Sequence, residues 1–118
     1  MMSPTCVVCE KELPDWQASI MVNNQAFTFE QTIDRLEVIC KPCSRAMTME
    51  GTPRKYHNIW ELSWVKDRFV HLLGTVLFDQ SSKSDYKWSD EALNDFYRLA
   101  VLRFPDLNEG VLSAMSDY

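Results

Sequence analysis

Cys6-Val7-Val8-Cys9 and Cys40-Lys41-Pro42-Cys43 repeat one spacing and hold all four cysteines of the chain. Two residues between cysteines let the backbone bend until both sulfurs face one point, with nearby amides free to hydrogen-bond to them. Two such pairs complete the tetrahedral thiolate shell that zinc prefers. A reduced thiol pair or a redox C-x-x-C is the other chemistry this spacing can serve. The expected cofactor is one structural zinc ion on Cys6, Cys9, Cys40 and Cys43.

Residues 10–39 lie between the pairs, more than the roughly 15 to 20 residues of the simplest zinc ribbon. The stretch Ala18 to Phe29 has β-branched and aromatic residues on both sides of Asn23-Asn24 and predicts two strands around a tight turn. Leu36-Glu37-Val38-Ile39 predicts a further extended piece running into Cys40. Pro42 to Met47 is helix-compatible, with a proline suited to the first turn, and Gly51 followed by Pro53 ends it.

Knuckle, hairpin and a helix that donates the last ligands make the segment from Cys6 to about Glu50 resemble a treble-clef zinc finger. That resemblance implies a metal site and leaves function open, because treble clefs serve as ribosomal parts, nucleases and protein-binding modules. Cys40-Lys41-Pro42-Cys43-Ser44-Arg45-Ala46 is also similar to the last knuckle of HNH-type nucleases. There, a histidine commonly follows the final cysteine and others precede the second pair. Here Ser44 follows Cys43 and no histidine lies between Cys9 and Cys40, so the residues that activate water and bind a catalytic cation are missing. The resemblance therefore implies a shared scaffold without the activity.

Working outward, residues 52–57 (TPRKYH) form a basic connector between a zinc module (1–56) and a helical part (57–118), expected to pack into one body. Asn58 and Glu61 have capping-box spacing, which predicts a helix start. Val65, Phe69, Leu72, Leu73, Val76 and Leu77 then recur at helical spacing up to the polar stretch Asp79 to Asp85. Ser89 with Asp90 and Glu91 in the first turn, Leu93, Phe96, Tyr97 and Ala100 on one face, and Arg103 before Pro105 predict another helix. Leu107, Val111 and Met115 suggest a short last one. The expected fold class is α+β: a treble-clef-like hairpin plus helix packed on two to three C-terminal helices.

At 118 residues the chain supports one compact body. It has no run of about 18 apolar residues, and its opening MMSPTCVVCEKE carries neither a basic leader nor an apolar core, so the expected compartment is the cytoplasm, with no membrane contact. Thiols stay reduced there, which favours metal over disulfide. The net charge is −5, and a zinc tetrathiolate lowers it by about two more. Residues 1–59 carry six basic and seven acidic groups, residues 60–118 six and ten. A phosphate backbone is repelled overall, and any nucleic-acid contact must come from the first half.

His57 and His71 are the only histidines, and neither is set beside a Ser or Cys nucleophile by any motif. With no P-loop, G-x-G-x-x-G, H-E-x-x-H or G-x-S-x-G either, no enzymatic activity is expected. Trp60, Trp64 and Trp88 are candidates for core or for recognition. Trp64 and Trp88 are taken, with the carboxylates of Asp85, Asp90 and Glu91, as the expected protein-partner surface. The expectation is an interaction protein, an inhibitor or regulator of a nucleic-acid-processing machine with acidic groups standing in for phosphates. In size and charge it is similar to phage-encoded inhibitors such as anti-CRISPR proteins and RNA-polymerase inhibitors. The alternative is nucleic-acid binding through the basic cluster Arg45, Arg54 and Lys55, which a solvated surface also explains.

Overall fold

The computed structural model describes residues 3–49 and 55–107. Ala18–Asn23 forms β1, whose first five residues are all buried because it is the middle strand of an antiparallel sheet of order β3-β1-β4. Glu37–Cys40 is β3 and Tyr56–Glu61 is β4. Ile20 sits opposite Val38 on one side and Trp60 on the other, and a bulge at Ile20/Met21 shifts the second register. A central strand satisfies its backbone through both neighbours and can be apolar almost throughout. Its one polar core residue, Ser19, accepts a hydrogen bond from Lys41 Nζ at 3.0 Å.

The extended piece before Cys40 and the helix after it are where the sequence places them, the helix being α2, Lys41–Met49. The hairpin around Asn23-Asn24 is not formed. Asn23 instead accepts the amide of Ala26 through its side chain at 2.9 Å and caps a short helix α1, Asn24–Thr28. Asparagine suits both a tight turn and an N-cap, and the run Gln25-Ala26-Phe27 favours the second use. The next strand in the chain to pair with β1 is therefore β3, reached after α1 and the two-residue strand β2, Thr32–Ile33.

The expected helix start at Asn58 is likewise corrected: Asn58 and Glu61 lie in β4. Pairing with β1 gives that backbone its partners, and the Glu61 carboxylate takes the Lys41 ammonium rather than an amide of its own segment. The helical run that follows is split into α3, Ser63–Asp67, and α4, Phe69–Asp79, at Arg68, whose φ of −135° and ψ of 36° leave the helical region. Val65, Leu72 and Val76 face the core, while Leu73 and Leu77 point outward, contrary to the single apolar face expected of them.

The helix expected after Ser89 is present as α5, Asp90–Arg103. Ser89 Oγ accepts the Ala92 amide at 3.0 Å and donates to the Asp34 carbonyl at 2.6 Å. Before it, β5, Lys87–Trp88, pairs in parallel with β2. Both sheets thus draw strands from both halves of the chain. Trp60, Trp88 and Phe96 pack with ring centroids 5.8 to 6.3 Å apart, joining sheet to helices. The chain is an α+β globule, and among the described residues no helix is long and apolar enough to cross a membrane. Gly51, Pro53, Val111 and Met115 lie outside the described residues.

Candidate metal centre

The first cysteine pair sits on a tight knuckle. Cys6 donates its amide to Lys11 O at 2.9 Å, Glu10 donates back to Cys6 O at 2.9 Å, and Glu10 takes a φ of 63° to close the turn. Val7 donates to Val38 O at 2.8 Å, which fastens the knuckle to β3 just ahead of the second pair. Cys40 is the last residue of β3 and Cys43 lies in the first turn of α2. A helix N-terminus carries unsatisfied amides and partial positive charge, a favourable place for thiolates.

These elements bring together all four expected ligands, with every pair of Sγ atoms within 4.8 Å. Cys9 Sγ and Cys40 Sγ are 3.8 Å apart. A tetrahedron with metal–sulfur bonds of about 2.3 Å has edges of about 3.8 Å, whereas a disulfide needs about 2.05 Å. All four cysteines are free. The donor set therefore fits one metal ion, as in a zinc-finger-like site, and among the described residues no other cluster of His, Cys, Asp or Glu does.

Cys6 and Cys40 are buried, Cys43 is half-buried and Cys9 is exposed, which puts the site at the rim of the core. Burial alone would push the Cys6 thiol up, but the amides of Cys40, Cys9 and Val8 outweigh it and bring it from 9.0 down to about 6. The Cys40 amide lies 3.4 Å from Cys6 Sγ. Cys43 moves the other way, up to about 12, first through its hydrogen bond with Cys40, then through desolvation and the neighbouring sulfurs of Cys9 and Cys6. Packed sulfurs cannot all ionise without a cation among them, which is the electrostatic condition a divalent metal relieves. Lys11 and Lys41 line the groove that adjoins Cys40, with the Lys41 ammonium taken by Glu61.

Lys41 also bridges Ser19 and Glu61, holding α2 against the sheet. Nothing in the sequence marks that contact, because Glu61 is 20 residues away and read there as a cap. The same holds for Asp95, which takes Arg35 Nε at 2.7 Å and the Leu36 amide at 3.0 Å across 60 and 59 residues. The Arg35 guanidinium is held above its ordinary value, first by that hydrogen bond and then by the charges of Asp95, Glu37 and Glu91.

The remaining candidates are scattered. His57 is exposed and stacks on Phe27 at 4.8 Å, and His71 is exposed on α4. Trp88 is buried, its indole N–H donating to Asp79 at 3.0 Å, so the expectation of a surface Trp88 is corrected. Trp64 is half-buried with the Arg68 guanidinium 5.7 Å from its ring centroid. Asp85, Asp90 and Glu91 are exposed. So are Arg45 and Lys55, while Arg54 lies outside the described residues. Comparison with protein-family models, with curated proteins and with solved structures gives no match.

Proposed function

We propose that the chain is a non-enzymatic interaction protein, held by one structural zinc ion in a treble-clef-like arrangement and docking through acidic groups on a basic macromolecular partner. The zinc reading rests on the all-sulfur donor set, which suits zinc over the harder divalent cations. The treble-clef reading is supported by the order knuckle, β1/β3 pair and α2, with Cys43 supplied by the helix.

One observation carries the docking reading. Asp85, Asp90 and Glu91 are all exposed around the start of α5, a helix anchored by its Ser89 cap. Asp90 and Glu91, fixed on the first turn of α5, can recognise cations with little ordering entropy, and with Asp85 in the preceding loop they repel free nucleic acid. The non-enzymatic reading is supported by the separation of both histidines from the cysteine cluster.

Immobilised protein should retain a partner from lysate that elutes with salt and is lost for the Asp85→Asn/Asp90→Asn/Glu91→Gln variant. Equal retention by that variant would refute an acidic docking surface. Cleavage of plasmid by the purified protein with Mg²⁺ or Mn²⁺ would refute the non-enzymatic reading.

A further inference from the structure

α4 is apolar on two sides. Leu72 and Val76 are buried, yet Val70 is 82% exposed, Leu77 63%, Phe78 56% and Leu73 37%. At about 100° per residue these four and Gly74 share the face turned away from the core. From Phe69 to Phe78 the helix carries no carboxylate, ammonium or guanidinium. The exposed apolar area is on the order of 400 Å², the size of a functional patch on a monomer.

Gly74 is the second observation. Glycine is among the least favourable residues for a helix interior, and a methyl there would meet no atom of the described residues within 4 Å. Nothing among those residues accounts for the missing side chain. A helix packing from outside does, because a glycine lets two backbones approach closely and leaves a hollow for a larger side chain.

We infer that this face of α4 is the contact between two copies of the chain, arranged antiparallel about a two-fold axis between Leu73 and Gly74. In that register Leu73 of one copy fills the hollow at Gly74 of the other, and Val70 meets Leu77, so each knob has its hole on the same surface. That is the self-complementarity an isologous interface requires. The face carries no carboxylate to set against its own copy, so the repulsion between two chains of net charge −5 is weakest there and is screened by salt. A basic partner would gain nothing at this face. Two copies, with the polar residues at the rim, would bury roughly 1,000 Å², the lower bound of a specific interface and the size of a weak, reversible one.

Sedimentation of the full zinc-loaded chain should show the mass rising from monomer toward dimer as the concentration is raised from about 1 µM to about 500 µM. Val70→Glu and Leu77→Glu should each raise Kd tenfold or more, with circular dichroism and zinc content unchanged. Gly74→Leu should act alike by filling the hollow, and it serves as the readout if a glutamate variant fails to fold. A monomer at every concentration up to about 500 µM would overturn the inference and give the face to a different occupant. A dimer unaffected by Leu77→Glu or Gly74→Leu in folded protein would also overturn it.

Discussion

The cysteine end and the α4–α5 end of this molecule are held by different forces. At the first, backbone turns gather four sulfurs at the rim of the core beside the buried Ile20, Val22 and Ile39, and a bound cation would add its hold to theirs. At the second, Leu62, Val65 and Leu72 are fully buried with Trp88 and Phe96 around them, and apolar contact suffices. The difference teaches that a metal concentrates stabilisation into a few replaceable atoms, whereas a packed core spreads it over many.

Removing the metal should have the largest effect. A structural zinc site is worth roughly 10 kcal/mol, so chelation or Cys6→Ser should erase amide protection in β1, β3 and the knuckle. Hydrogen exchange checks this, and protection as strong without metal would break the comparison. Proton release sharpens it. Cys6, lowered to about 6, is already a thiolate at pH 7, whereas Cys43, pushed up to about 12, must give up its proton to a metal at any pH below that. Metal affinity should therefore weaken as pH falls, more steeply once pH drops below about 6 and Cys6 also must deprotonate. Titration calorimetry in buffers of different ionisation enthalpy counts those protons.

In the helical end single substitutions should cost less. Leu72→Ala, on the inner face of α4, should destabilise by about 2 to 5 kcal/mol, against less than about 0.5 kcal/mol for exposed Leu77→Ala in the monomer. Urea denaturation at low protein concentration separates the two, and equal losses would mean the faces are misassigned. Ser89→Ala should cost about 1 kcal/mol by removing the α5 cap, read as a modest fall in Tm with the metal site intact.

The two ends also differ in how far the sequence reveals them. Thiol chemistry at fixed spacing has few interpretations, so the four-cysteine cluster, β3 leading into Cys40 and the helix after it are all readable from residues 6–9 and 36–47. The Ser89 cap with acidic residues behind it was equally plain, because capping is local. Asn23 and Asn58 misled because each fits two local structures, and the choice is made by strands far away in sequence that pair with β1. The orientation of α4 was hidden for another reason. A helix apolar on two sides, with only His71 and Thr75 to mark a polar one, gives periodicity little to exclude, so Leu73 and Leu77 read as core. Trp88 was mistaken for a surface residue because nothing nearby announces its bond to Asp79.

The placement of β1 between β3 and β4 has a consequence for synthesis. When residues up to Met49 have left the ribosome, both cysteine pairs are available to a metal, but one whole edge of β1 still lacks its neighbour. Until Glu61 emerges, that edge is a template for the wrong strand, including one from another nascent chain. A fragment cut at the apparent end of the zinc module should accordingly bind metal and yet precipitate, because the strand that shields it is encoded downstream of the cut.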